Sequence, residues 1–336
     1  MIRLSLFLSV LLVSLSSVSF GQERRFGFGR GGESWRSDPS IPAVLVKAID
    51  DQNSEHYEGR LTREFERGPQ NLKHDEIVFR DGPLTRIEFP TGSKYSGQII
   101  VENVRERRYY MPDKNEIYIF PSRREENFMR LSGLARRADK KKIFLSEAPG
   151  ERIAGISTEQ VVVRDLAGTV TQRMFIDPRS GVVLKREVFD ALGRETGYFV
   201  FTQINLRPGR FEASLFRLER PGARVVTAED TLREVAAREG FTPVNFGPST
   251  GYRLEAARVA NIEQDRVLVE SFVSKRGRLT LFELRSAVSP ERLKRVAHGE
   301  VQVYSWEKDG KWFVLFGPRT EGELVQLAQT LSNGTP

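Results

Sequence analysis

The chain has 336 residues, 39% of them hydrophobic and 29% charged, with a formal net charge of +7. That balance fits a soluble globular protein with room for two domains and excludes a disordered or membrane-embedded one. The absence of cysteine excludes disulfides, thiol catalysis, cysteine-ligated metals and a lipidated N-terminal cysteine.

The chain opens on MIRLSLFLSVLLVSLSSVSFGQ, with Arg3, an uncharged apolar run from Leu4, and Ser19 and Gly21 flanking Phe20. This pattern predicts a signal peptide over residues 1–21, cleaved before Gln22. A membrane anchor is the alternative, but the run is short and serines crowd its second half. No later segment supplies the ~18 uninterrupted apolar residues of a membrane helix. Export without disulfides points to a bacterial periplasm or cell exterior.

Residues 22–40 are rich in Gly, Arg and Ser and predict a flexible leader. Gly27, Gly29 and Gly32 match a dinucleotide fingerprint by letter, yet no strand precedes and no helix follows, so they read as linker composition. Ser40 is placed as the N-cap of a helix in which Ile41, Val44, Leu45, Ala48 and Ile49 recur at helical spacing. From Tyr57 the pattern turns to strands. YEGRLTREF, HDEIVFRDGPLTRIEF, GQIIVENVRERRYYMP and NEIYIFPS follow one another with short turns. In one of these runs Thr85, Ile87 and Phe89 share a face and Leu84, Arg86 and Glu88 the other. RREENFMRLSGLARRADKKK interrupts them as a helix, with Phe128, Leu131, Leu134, Ala135 and Ala138 on one stripe.

Strands resume at Ile143 and run through the meander FIDPRSGVVLKREVFDALGRETGYFVFTQI, the last of them expected near Phe211 to Leu218. Without any βαβ rhythm, the first domain (41–218) is predicted as a curved antiparallel half-barrel sheet covered by helices. The Pro221-Gly222 region, 219–226, reads as a linker. Residues 227–334 form a smaller α+β domain. It has a helix from Ala228 to Glu239 capped by Thr227 and Gly240, five strands, a hairpin at Asp309-Gly310, and a final helix opened by the capping box Thr320-Glu321-Gly322-Glu323. Each half has its own apolar stripes, so a fragment from about Ala43 to Leu218 is expected to fold alone.

Catalytic and metal patterns are missing. His56, His74 and His298 form no metal-ligand spacing, and no nucleophile elbow or phosphate loop occurs. Most carboxylates lie beside Arg or Lys, as solvated pairs do. No enzyme activity, cofactor or metal is expected. The positive charge favours acidic partners, and export disfavours nucleic acid. Arg136, Arg137, Lys140, Lys141 and Lys142 form a basic run. It reads either as a site for an anionic partner or as the solvated exit of a helix, where cations suit the dipole.

The stretch IDPRSGVVLKREVFDALGRETGYFVFTQINLRPGRFEASLFRLERPGARVV resembles the late strands of the LolA-type lipoprotein carrier superfamily, and YEGRLTREF, GPLTRIEF and YSGQIIVENVRERRYYMPDKNEIYIF follow a similar order. EGFTPVNFGPSTGYRLEAARV, RVLVESFVSKRGRLTLFEL and WEKDGKWFVLFGPRTEGELVQLAQTL are similar in layout to the second domain of the RseB/MucB group of sigma-E regulators. The Gly/Arg-rich leader and the very basic mid-helix are not part of that pattern. The resemblance implies a periplasmic binding protein. It would hold acyl lipid, lipoprotein or lipopolysaccharide in an apolar open barrel and bind the periplasmic segment of a membrane anti-sigma factor. The alternative is a carrier of lipids or lipoproteins across the periplasm. Phe79, Ile87, Phe89, Ile117, Ile119, Phe128 and Met129 are the candidates to line the apolar space between sheet and helix, with plain core packing as the alternative.

Overall fold

A computed structural model describes residues 34–67, 70–122, 124–262, 265–274, 276–286 and 302–333. The signal segment, most of the leader with its three glycines, and His298 lie outside the described residues. The chain divides between Val225 and Val226 into two compact units.

The first unit is built on β1 (His56–Arg67), β2 (Gln70–Asp81), β3 (Leu84–Glu88), β4 (Ile99–Glu102), β5 (Glu106–Met111), β6 (Glu116–Pro121), β7 (Phe144–Ile153), β8 (Ile156–Arg164), β9 (Val170–Ile176), β10 (Val183–Phe189), β11 (Glu195–Asn205) and β12 (Arg224–Val226). They form one curved, open, 12-stranded sheet in the order β12-β6-β5-β4-β3-β2-β1-β11-β10-β9-β8-β7. Two antiparallel meanders, β1 to β6 and β7 to β11, are thus joined where β11 lies against β1. The register slips there: Leu61 pairs with Phe201 but Arg60 with Gln203, so Thr202 bulges out. Gly59, paired with Ile204, sits next to the bulge, and a Cβ on it would lie 2.6 Å from the Gln203 carbonyl oxygen.

Two helices, α1 (Ala43–Asp51) and α2 (Arg124–Asp139), pack on one face of β8 and β9. Leu45 and Ile49 of α1 and Leu134 and Ala135 of α2 are buried against Val161, Val163, Met174 and Ile176. Burying each large aliphatic side chain is worth about 2 kcal/mol before its entropy is counted. Ser40 is not the cap of α1. The Asp38 carboxylate accepts the Ser40 N–H at 2.8 Å and the Asp38 carbonyl accepts the Ile41 N–H at 3.0 Å. Ser40 is thereby held in a local turn, and Pro42 precedes the first helical residue instead.

The Asp177-to-Gly181 turn seats α1. Asp177 is buried, and its carboxylate accepts the Arg179 and Ser180 N–H groups at 3.2 and 3.1 Å and the Ser180 hydroxyl at 2.6 Å. Gly181 then takes φ +72°, with its Cα so close to α1 that a Cβ would meet the Lys47 carbonyl oxygen at 3.1 Å.

Two further expectations need correction. Phe211 to Leu218 is no strand. It holds a 3-10 turn, Ala213–Phe216, because Pro208 and Gly209 break the run and the preceding strand has already ended at Asn205. The expected linker ends in a strand. β12 lies beside β6, where the Arg224 N–H donates to the Asn115 carbonyl at 3.0 Å.

The second unit contains α3 (Ala228–Glu239), β13 (Val244–Phe246), β14 (Arg253–Ile262), β15 (Asp265–Ser274), β16 (Gly277–Leu284), β17 (Gln302–Lys308), β18 (Lys311–Gly317), α4 (Glu321–Gln329) and β19 (Leu331–Asn333). A five-stranded sheet runs β14-β15-β16-β18-β17, and β13 pairs with β19. Thr227 and Thr320 cap α3 and α4 in reciprocal capping boxes, and Gly240 ends α3 at φ +71°. Asp309 and Gly310 both take positive φ, as a two-residue hairpin turn requires. Leu232 and Ala236 of α3 and Leu324 of α4 pack on Leu268, Phe272, Leu281 and Phe313 of the sheet. The whole chain is α+β.

Candidate functional site

Pairing register fixes which side chains share a face of the large sheet. Across β2 to β6, Val78, Ile87, Ile100, Tyr109 and Tyr118 form one cross-strand row. Phe79, Arg86, Val101, Arg108 and Ile119 form the neighbouring row, on the other face. Pairing of Met174 with Arg186, Arg186 with Phe199, Phe199 with Arg63 and Arg63 with His74 carries the helix-covered face of β9 across to the Val78 row.

The candidate cavity residues are therefore divided rather than gathered. Ile87 joins Leu61, Val78 and Phe201 on the helix face. Phe89 lies on that face too, its ring centroid 5.5 Å from Tyr95 and 5.5 Å from His74. Phe79 is on the opposite face, edge-on to Phe211 at 6.0 Å. Ile117 is there as well, packed with Ile99, Val101 and Leu218, and Ile119 shares its face. Phe128 and Met129 belong to the first half of α2, where side chains lie outside the described residues. Composition selected apolar residues, but the two-residue strand period decided their side.

The helix face is not uniformly apolar, as an acyl-lined barrel would be. Glu76 is buried, with its carboxylate accepting Arg63 Nε at 2.8 Å and Arg63 Nη2 at 3.3 Å, and lying 2.9 Å from His74 Nε2. Burial alone would raise this carboxyl. The Arg63 guanidinium and the His74 and Arg63 hydrogen bonds outweigh burial and hold it down at about 2. Phe65, Phe89 and Tyr95 surround His74 with ring centroids between 5.0 and 6.1 Å. Further along, the buried Tyr109 hydroxyl donates to Gln98, and burial pushes that phenol well above its usual range. None of these polar partners had a sequence signal beyond a polar letter on a strand.

The opposite face carries a crossing segment. Residues 206–223 run over β2 to β6, tied down at several points. The His56 ring nitrogen Nε2 lies 3.3 Å from the Pro208 carbonyl oxygen. Phe211 packs tilted against His56 and edge-on against Phe79 and Phe216. Arg86 Nη1 donates to the Leu215 carbonyl at 3.0 Å. The segment surrounds an open cleft of about 500 Å³, lined by its own Arg210, Arg217 and Arg220 among others and, from the sheet, by Arg86.

The basic run leaves α2 as its terminal turn. The Lys142 N–H donates to the Arg137 carbonyl at 2.8 Å and Lys141 takes φ +54°, a C-terminal cap geometry. Arg136 and Arg137 are half-buried and, like Lys140 and Lys142, already engaged with neighbours.

In the second unit, Glu270 and Glu283 are both fully buried among the helix-facing residues of the small sheet. Glu283 Oε1 accepts Lys311 Nζ at 2.6 Å and the Thr242 N–H at 3.1 Å. Glu270 pairs with no cation among the described residues. Burial, then the Glu283 charge, raises it well above the carboxylate range against the pull of the Val244 N–H. Among the described residues no cluster of three or more His, Asp or Glu side chains could hold a metal, and no helix is long and apolar enough to cross a membrane.

An open antiparallel sheet with helices on one face is followed along the chain by a smaller α+β unit. No family model and no curated protein matches the chain. Among solved structures it is similar to a crystal structure of MucB at 13% identity, covering 87% of this chain and 97% of that one with a TM-score of 0.42. It is likewise similar to MucB in the Pseudomonas aeruginosa MucA/MucB complex, at 13% identity, 87% and 98% coverage and a TM-score of 0.41. A LolA superfamily protein from Nitrosomonas europaea matches at 12% identity, over 52% of this chain and 96% of its own, with a TM-score of 0.27.

Proposed function

We propose that this protein is a periplasmic regulatory binding protein of the RseB/MucB kind, not an enzyme. It binds the exported segment of a membrane anti-sigma factor and responds to an acyl amphiphile. The observation that supports this reading is the combination of an open 12-stranded sheet with a second, separately packed α+β unit in one chain. A carrier needs only the sheet; a second unit supplies a surface for a protein partner. The strand and turn motifs that resemble the superfamily lie along both units.

The test is calorimetry of the full-length mature protein with synthetic exported segments of the anti-sigma factors encoded in the same genome, followed by limited proteolysis of the segment with a soluble protease. One segment is expected to bind saturably and to be shielded from cleavage until acyl lipid is added. If no segment binds while the protein copurifies with lipid and hands it to an acceptor vesicle, the carrier reading replaces this one.

A further inference from the structure

The cleft at the crossing segment has a built, charged lining. Its walls are fixed at both ends, by Phe211 in its aromatic contacts and by Leu218, buried with Ile99, Val101 and Ile117. Arg86 projects from β3 and is oriented twice over, by Glu88 Oε1 at 2.6 Å and by the Leu215 carbonyl at 3.0 Å. Arg220 lies over the Tyr110 ring, 5.4 Å from its centroid. Arg210 and Arg217 complete the set, and among the described residues neither guanidinium makes a hydrogen bond or an ion pair. The lining also holds Glu212 and Glu219, and neither forms an ion pair with these arginines among the described residues. With Glu88, which pairs with Arg86, four cations face three carboxylates, an excess of one positive charge around one opening, and Arg210 and Arg217 are without a carboxylate partner among the described residues.

Guanidinium groups present forked N–H donors that match the oxygens of a tetrahedral anion, and a phosphomonoester carries ≈ −1.5 to −2 charge at neutral pH. A carboxylate offers half that charge and fewer acceptors. Two arginines are already oriented, so little ordering cost remains for them on binding. We infer that the cleft formed by the crossing segment and β3 is a binding site for a phosphate-bearing anion, held by Arg86, Arg210, Arg217 and Arg220 on the face of the sheet opposite the helices. The site is separate from the basic run at the end of α2, whose backbone is committed to a helix cap. It does not depend on the regulator reading and would serve a carrier equally.

The probes are inorganic phosphate, phosphatidic acid vesicles and phosphatidylcholine vesicles, measured with the full-length mature protein by calorimetry and vesicle flotation. Saturable binding is expected to phosphate or to phosphatidic acid, and not to phosphatidylcholine alone. Binding of both phosphate and phosphatidic acid assigns the site to the free anion, and binding of phosphatidic acid only assigns it to a lipid headgroup; both support the inference. Replacing two exposed arginines, Arg210→Gln/Arg217→Gln, should weaken binding at least about tenfold, one lost charge-assisted contact being worth about that factor. Lys140→Gln/Lys141→Gln removes the same charge from the exit of α2 and should leave affinity within about twofold, as screening at physiological salt allows. Equal losses in the two variants would reduce the effect to net charge and overturn the site. So would undiminished binding in the arginine variant whose circular dichroism matches the parent, or no saturable binding of phosphate or phosphatidic acid.

Discussion

Removing Arg63 tests whether the helix face of the large sheet is held together by charge. Glu76 keeps 5% of its side chain exposed and Arg63 37%, so Arg63→Ala strands a buried carboxylate beside His74 while its former partner position fills with water. The folded-state carboxyl at about 2, against an ordinary 4.5, corresponds to about 3 kcal/mol of stabilisation at neutral pH. Part of that is lost to solvent screening of the exposed guanidinium, so a loss of roughly 2 kcal/mol is expected. The sign with pH follows from the lowered folded value. The contribution is complete above about 4.5 and disappears as pH falls towards about 2. Two units in one chain need not unfold together, so the measurement is hydrogen exchange of β1 and β2 amides, in native buffer at pH 7 and at two acid points. The variant should exchange faster at pH 7 and lose the acid-induced loosening the parent shows over that window. Arg63→Met/Glu76→Gln, which removes both charges, should recover part of the loss. A change under about 0.5 kcal/mol at pH 7, the scale of an ordinary surface substitution, would refute the assignment of Arg63 as the partner that keeps Glu76 charged.

Three further outcomes are expected. Gly181→Ala adds a Cβ 3.1 Å from the Lys47 carbonyl at φ +72° and should cost about 2 kcal/mol, read as a lower thermal midpoint of Trp35 fluorescence, whereas Gly193→Ala, at φ +75° with open space around it, should cost about 1 kcal/mol. Thr227→Ala removes the hydroxyl that accepts the Asp230 N–H at 3.1 Å and should destabilise the second unit by about 1 kcal/mol, measured by Trp306 and Trp312 fluorescence in urea. Glu270→Gln should stabilise that unit, and increasingly so as pH rises above the ordinary 4.5, because a carboxyl raised by burial and by Glu283 must give up a proton at growing cost; an unchanged urea midpoint between pH 4 and pH 8 would count against this.

Turn and cap chemistry was legible because it is local. Thr227, Gly240, Thr320 and Asp309-Gly310 act within a few residues of themselves, and each stands where its side chain or φ angle requires. Strand succession was legible for the same reason. The side on which a residue falls was harder. Phe79 and Ile87 are both apolar and both on strands, yet the turn at Gly82-Pro83 sets a register that parts them, and only pairing across strands reveals it. The crossing segment escaped notice because FEASLFRL alternates well enough to pass for a strand. Its fate was decided by Leu218 packing with Ile117, about a hundred residues away in sequence. Glu270 in VLVESFV gave no hint of full burial, since a carboxylate in a strand is ordinarily on the wet face. The candidate site suffered most: Arg210, Arg217 and Arg220 are close in sequence, but Arg86 joins them only through the long-range fold.

The join between β1 and β11 has a consequence for how the chain is made. As synthesis proceeds from the N-terminus, β1 can pair at once with β2 on one side, but its other edge waits until β11, whose Phe201 is the partner of Leu61, has emerged. Through that interval β1 presents a row of unsatisfied backbone groups beside Leu61 and Phe65, a template for pairing with another chain. The slow step of folding is then the docking of two finished meanders, a contact between distant parts of the sequence. Agents that shield β-strand edges should raise the yield of refolding most when added before that docking, and a chain truncated ahead of Glu195 should aggregate through β1.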